Sequence, residues 1–319
     1  MSAAALPLIV SIGEPMIEFN QTRPGEREYL QGFGGDTSNM IIAAARQGAR
    51  AAYFTRVGDD EFGRMFLKLW AAEGVDARAV ALDPAAFTAV YFVTHGPQGH
   101  VFHYIRAGSA SSRMRPEDLP LPLLRGAGFV HASGISMAIS PGAHDAVLYS
   151  FEQARHSGAK VSFDANLRVK LWPLERARKG VATALALTDY FFPSIEDAAA
   201  LSGLDEPDAI LEWAHRLGAK NVFLKLGADG VIVSDGRKAE KINGVKVKSV
   251  DATGAGDCFC GAALARLSMG DSLVDAARYA NAAAALATTG FGAVDPIPRP
   301  EQVRALLSKS GSDPNQEKS

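Results

Sequence analysis

The chain has 319 residues, 47% hydrophobic and 21% charged, which is ample for a large core built as one α/β domain or two smaller ones. Its 33 Lys and Arg against 35 Asp and Glu leave a net charge of −2, a balance that argues against nucleic acid or an anionic membrane as the main partner. The two cysteines, Cys258 and Cys260, offer neither a disulfide framework nor a zinc pattern, so packed thiols and a reducing cytoplasm are expected.

Residues 3–12 are apolar but lack a basic leader and run into Gly13-Glu14-Pro15, so a buried first strand over 8–12 is expected rather than a signal peptide. No run approaches the ~18 apolar residues needed to span a membrane. Residues 16–33 carry apolar and aromatic residues at irregular spacing around Arg23-Pro-Gly-Glu26, which reads as hairpin strands. Gly34-Gly35-Asp36-Thr37-Ser38-Asn39 then opens an alanine-rich helix, and strand 52–57 and helix 61–73 follow. Two more strand-like runs, 89–94 and 100–105, flank the hairpin signal Gly96-Pro-Gln-Gly99.

From there single strands alternate with helices: strands 129–132, 160–163, 190–192, 221–226 and 230–234, and helices 141–156, 174–186, 207–217, 273–289 and 300–307. That rhythm implies a mostly parallel sheet covered on both faces. The β-only segments 16–33 and 89–105 break it and read as one small sheet forming a lid on a single domain over 1–307, with a disordered polar tail from 308 to 319.

The densest chemistry lies in Lys248-Ser-Val-Asp251-Ala-Thr-Gly254-Ala-Gly256-Asp257. The run Val245, Val247, Val250 reads as a strand entering a glycine turn, and a small-residue helix leaves it. Glycines at a helix N-terminus let backbone N–H groups converge on an anion. An acid at the mouth of such a nest would repel a merely stored phosphate, but it suits a base that takes a hydroxyl proton during phosphoryl transfer. Gly-x-Gly-Asp by itself is more often a plain helix start. No Gly-Lys dipeptide is present, which excludes a Walker A loop; no His-Arg-Asp or Asp-Phe-Gly supports a protein kinase, and Gly32-x-Gly34 is a poor dinucleotide fingerprint.

Seven specified positions, Asp251 to Asp257, resemble the C-terminal signature of the ribokinase-like (PfkB) carbohydrate kinases, with Ala252 where the family more often has Thr. The resemblance implies Asp257 as catalytic base and Gly254, Ala255 and Gly256 as the anion hole. Gly35, Asp36, Thr37, Ser38 and Asn39 resemble the family's N-terminal sugar loop. Tyr91, Tyr104, Arg106-Ala-Gly-Ser-Ala110 and Asp164-Ala-Asn166-Leu-Arg168 look like the 2-keto-3-deoxygluconate kinase branch, in which the matching tyrosines and arginines face a sugar acid; Glu14-Pro15 also fits. An isolated Arg is usually a solvated charge, but a guanidinium suits a carboxylate. Asn166, Arg168, Ser194, Lys225, Gly227, Gly230 and Asn281 match nucleotide-contacting segments, and Asp197 matches a water-mediated metal contact. Ser194 and Asp197 stand where the family has Asn and Glu, and Ala293 falls where that branch carries a substrate-contacting Asp.

The resemblance therefore implies a ribokinase-like three-layer α/β/α sandwich with a β lid, ATP and Mg²⁺ as cofactors, and a homodimer or higher homo-oligomer through the lid; whether K⁺ activates through the loops around Asp251 and Gly290 stays open. The alternatives are a fructokinase- or ribokinase-type kinase of neutral sugars and a sugar-binding homologue without catalysis.

Overall fold

In a computed structural model that describes residues 5–96 and 99–309, β1 (Leu8–Ile12) leads into a hairpin of β2 (Met16–Gln21) and β3 (Tyr29–Gly34). Next come α1 (Asp36–Arg46), β4 (Arg50–Phe54), β5 (Arg56–Gly58), α2 (Glu61–Ala72), β6 (Val75–Asp76) and β7 (Ala81–Asp83). A second hairpin, β8 (Val90–Gly96) and β9 (Gly99–Ile105), precedes α3 (Leu121–Arg125), β10 (Phe129–Ser133), α4 (Gly134–Ala138), α5 (Pro141–His156) and β11 (Lys160–Asp164). The chain continues through α6 (Leu174–Leu185), β12 (Tyr190–Phe191), α7 (Ile195–Ser202), α8 (Pro207–Arg216), β13 (Asn221–Lys225), β14 (Gly230–Ser234) and β15 (Ala239–Asn243). It closes with α9 (Ala255–Ser268), α10 (Leu273–Ala287) and α11 (Pro300–Lys309).

Nine strands form one sheet in the order β15-β14-β13-β12-β11-β10-β1-β4-β6, parallel except for β14 and β15. Side chains of successive strand residues point to opposite faces, and both faces are buried. Ile9, Phe129 and Phe223 pack on one side with α1, α2, α9 and α10, as Met40, Phe66, Phe259 and Ala280 show. Val10, Val130 and Leu224 pack on the other with α5, α6 and α8, among Phe151, Val181 and Ile210. After β1 the chain moves outward to β4 and β6, then returns to β10 on the other side of β1. That reversal opens a crevice at the carboxyl ends of β1 and β10, where ligands of such sheets bind.

A separate four-stranded sheet, ordered β3-β2-β8-β9, stands off the core. Both β-only segments therefore join in one small sheet, β2 pairing parallel to β8. Residues 97 and 98 of the hairpin signal lie outside the described residues, but Gly96 and Gly99 face each other across an antiparallel pair.

Several local expectations are corrected. Val245, Val247 and Val250 form no strand: the amides of Val250 and Asp251 donate to the Thr288 carbonyl, so the end of α10 holds this segment. The expected strand over 52–57 breaks at Thr55, whose hydroxyl donates to the Gly13 carbonyl at 2.6 Å. The short elements β6, β7, α3, α4, α7 and β15 have no counterpart in the sequence reading. Ser308 and Lys309, assigned to the tail, belong to α11, while 310–319 lie outside the described residues.

Candidate active site

The start of α9 is set by its own sequence. Asp251 fastens the turn: Oδ1 accepts from the Thr253 amide and hydroxyl, and Oδ2 from the Gly292 amide. Gly254 takes the left-handed conformation at φ 76°, and a Cβ there would lie 2.9 Å from the Ala293 carbonyl oxygen, so no larger residue fits without movement. Ala255 N closes the turn onto Ala252 O at 3.2 Å, and Cys258 N opens the helical ladder onto Gly254 O at 2.8 Å. Between them, Gly256 and Asp257 supply first-turn donors at the positive end of the helix. Ala255, expected to donate to the anion, spends its amide on the turn.

Asp257 is half-buried, and its carboxyl pKa lies well above the ordinary range. Burial is the main cause, reinforced by Asp36 and Asp164 and opposed by the Asn39 amide and Lys225. Asn39 Nδ2 donates to Asp257 Oδ2 at 2.8 Å across 218 residues of sequence. That bond is possible because α1 and α9 pack closely: a Cβ on Gly261 would sit 2.2 Å from the Met40 carbonyl oxygen. Asn39 Nδ2 thus holds the Asp257 carboxyl, while its buried Oδ1 has no partner. Thr37 and Ser38 are corrected, because both are buried. The Thr37 hydroxyl bonds Tyr53 OH at 2.9 Å, and Ser38 Oγ accepts from Trp70 Nε1 at 3.0 Å. Their side chains pin α1 to the core.

Asp36 does reach the crevice. One oxygen accepts from Asn166 Nδ2 at 2.9 Å, the other is buried without a partner, and burial raises its pKa. Asn166, expected beside the nucleotide, spends its amide here with backbone φ 30°. The lid supplies Tyr91, whose hydroxyl donates to buried Glu18 and crowds Gly34, where a Cβ would lie 2.5 Å from it. Glu18 was not anticipated, although an acid in an otherwise apolar strand start is its trace in the sequence. Tyr104 stacks obliquely on Tyr91 at 5.7 Å, and the Arg106 guanidinium lies 5.5 Å over its ring. Arg106 is not free, because it ion-pairs with fully buried Glu14. Arg168 is exposed, donates Nη1 to the Leu167 carbonyl, and is near enough to lower the Tyr104 pKa against the burial that raises it.

On the other side of the crevice, Lys225 is half-buried with Nζ 2.7 Å from Asp164 Oδ2 and 3.4 Å from where a Cβ on Gly256 would be. Burial disfavours its ammonium form, yet Asp164, Cys260 and Asp257 hold its pKa above the usual lysine value. Cys260 donates its thiol hydrogen to Asp164 at 3.2 Å, and burial pushes the Cys258 thiol up to about 12, so both are packed thiols. Ser194 is the N-cap of α7, accepting from the Asp197 amide at 3.0 Å. Asp197 accepts from the Leu167 amide at 3.1 Å, and burial followed by Asp164 raises its pKa. Gly227 and Gly230 make the β13–β14 turn, Gly230 at φ 100°. Asn281 caps the Asn243 carbonyl at 2.8 Å and lines a groove of about 640 Å³ with Val245 and Arg278. Among the described residues no group of three or more His, Cys, Asp or Glu side chains is arranged to hold a metal ion, and no helix is long and apolar enough to cross a membrane.

Residues 6–300 match the family model of the pfkB family carbohydrate kinases. The chain is 35% identical to a 2-dehydro-3-deoxygluconokinase of Thermoproteus tenax over 96% of its own length and 95% of the relative's. It is 34% identical to a probable fructokinase-4 of Arabidopsis thaliana over 94% and 96%. Its fold superposes with a TM-score of 0.89 on a putative ribokinase II of E. coli solved with ATP and Mg²⁺, at 27% identity, covering 95% of this chain and all of the other.

Proposed function

The chain belongs to the pfkB family of carbohydrate kinases, and from that membership we propose that it transfers the γ-phosphoryl group of ATP to a hydroxyl of a sugar acid, 2-keto-3-deoxygluconate (also called 2-dehydro-3-deoxygluconate). Asp257 acts as general base toward that hydroxyl, and the first-turn donors of α9 face the charge that develops on the transferring group. A raised carboxyl pKa brings the base nearer the working pH, where proton transfer is most effective. Lys225 adds a fixed positive charge beneath Gly256.

Mg²⁺ bound with ATP neutralises phosphate charge. The donor set fits an ion that arrives on the nucleotide: Asp197 is near enough to Asp164 to feel its charge, yet among the described residues the two belong to no all-protein cage. A K⁺ site in the loops around Asp251 and Gly290 belongs to the same proposal.

The observation that carries the choice of a sugar acid is Tyr104 flanked by two guanidiniums, Arg106 stacked on its ring and Arg168 within electrostatic reach. A single charge-assisted hydrogen bond to a carboxylate, about 1.5–3 kcal/mol, makes the acid ~10- to 150-fold better than a neutral analogue in kcat/KM. One preparation assayed with 2-keto-3-deoxygluconate, its galactonate epimer, fructose and ribose tests this. The acid is expected to lead; a higher kcat/KM for fructose or ribose refutes the assignment. The second reading, a neutral-sugar kinase, is favoured by the Glu14 carboxylate that already balances Arg106.

The lid exposes Leu30, Phe102 and Tyr104 on one face and Val101 and Ile105 on the other, and this apolar surface supports a homodimer through the sheet. Light scattering at micromolar concentration is expected to give twice the monomer mass, and a monomer refutes the dimer.

A further inference from the structure

Glu14 and Arg106 occupy the two ends of the lid. Glu14 follows β1, where the chain first leaves the core, and Arg106 follows β9, where it finally returns. Their ion pair is sequestered: the Glu14 side chain is fully buried and that of Arg106 keeps 11% of its surface exposed. The other Glu14 oxygen, Oε1, accepts from the hydroxyls of Ser109 and Ser111, each at 3.1 Å. Burial raises the Glu14 pKa, while Arg106 and these hydroxyls pull it back. Fixed by three donors, the carboxylate cannot swing away to admit another anion.

The guanidinium is less completely satisfied. Nη2 is engaged by Glu14, but Nε is buried and has no partner. A buried charged N–H left unpaired is costly in a native structure, so it points to a ligand oxygen that completes it. The character of that oxygen is constrained by Glu14. A second carboxylate would approach a pair that is already neutral and be repelled by the first, whereas a hydroxyl or keto oxygen would meet no such opposition. Arg168 is different, for among the described residues it forms no ion pair.

We propose that Glu14 is a specificity-determining residue of the sugar site: it neutralises Arg106, so that this guanidinium serves a hydroxyl or keto oxygen and the net positive charge offered to a substrate carboxylate comes from Arg168. This deepens the sugar-acid reading and rests on it for the identity of the anion.

The test compares kcat/KM for 2-keto-3-deoxygluconate with that for fructose in wild type, Glu14→Gln, Arg106→Met, the double variant and Arg168→Ala. If the acid is not turned over, its inhibition constant against fructose replaces its kcat/KM. Glu14→Gln removes the charge but keeps the size, and should raise the acid-to-neutral ratio roughly 3- to 30-fold over wild type, the range for unmasking one partly screened charge. That rise should vanish in the Arg106→Met background. Arg106→Met alone should depress both substrates and move their ratio by less than about 3-fold, while Arg168→Ala lowers the ratio by about 10-fold or more. An unchanged or lower ratio in Glu14→Gln overturns the proposal, as does a rise that persists without Arg106. If Glu14→Gln does not fold, the two arginine variants decide: a selective loss of acid preference in Arg106→Met refutes neutralisation. A wild type that prefers fructose refutes the sugar-acid assignment alone, because the change on removing Glu14's charge is read relative to wild type.

Discussion

Two glycine turns lie side by side in this crevice and open two helices that pack together, yet they do different work. At α9 the polar and glycine residues of the turn, Asp251, Gly254, Gly256 and Asp257, lie within seven residues, and the Gly292 amide braces Asp251 from outside. At α1, Gly35 at φ 103° tucks against the Glu14 backbone, and the polar residues that follow are divided among three tasks. Asp36 faces the crevice, Thr37 and Ser38 anchor the helix to Tyr53 and Trp70, and Asn39 reaches across to Asp257. A glycine turn followed by polar residues is thus not itself a ligand loop. On an amphipathic helix start, which polar side chains meet solvent depends on what packs beside them.

The largest break in this comparison should come from Asp257→Asn, which keeps shape but removes the proton acceptor. A fall in kcat of ~10²- to 10⁴-fold is expected, with little change in ATP affinity. A folded variant with near wild-type turnover would falsify the role. The same substitution should raise the melting temperature at pH 7. A carboxyl whose folded pKa is raised binds its proton more tightly folded than unfolded, so ionising it costs stability as pH climbs above the unfolded value of 3.8. Near pH 4 the gain should shrink, and thermal melts at the two pH values check the sign.

The contact between the helices can be broken without touching either acid. Gly261→Ala places a Cβ 2.2 Å from the Met40 backbone oxygen and should cost about 1–3 kcal/mol by overpacking. Urea unfolding measures the loss, and an unaltered midpoint would mean that α1 and α9 are not locked together here.

Asn39→Ala sharpens the comparison by testing whether one turn tunes the other. Losing the donor to the Asp257 carboxylate should lower kcat/KM by about 10-fold, as for a hydrogen bond to a charged group. Because that bond favours the ionised form, its loss should move the acidic limb of the kcat/KM profile to higher pH. A limb that stays in place would leave Asn39 a packing residue.

Ser38→Ala should have the smallest effect on catalysis. Trp70 Nε1 loses its acceptor, costing about 1–3 kcal/mol of stability, while KM for the sugar stays within about 2-fold of wild type. A large KM change would restore Ser38 to the substrate.

What the sequence determined by itself is whatever short-range chemistry enforces. The glycine spacing at Gly254 and Gly256 required a sharp helix start, the acid after it marked a candidate base, and single apolar strands alternating with helices required a buried parallel sheet. Two β-only segments could be read as one lid because their apolar runs had no helix to cover them. Tertiary structure alone decided which polar and charged groups of the crevice are paired. Glu14 and Arg106 are 92 residues apart, Asn39 and Asp257 218, and Lys225 and Asp164 61, so no periodicity or spacing announces these pairs. The same holds for the valines before Asp251, which look like a strand until the Thr288 carbonyl claims the amides of Val250 and Asp251. Local sequence fixes which conformations a segment can adopt, but a buried charge or amide takes its meaning from the partner that the fold brings within about 3 Å of it.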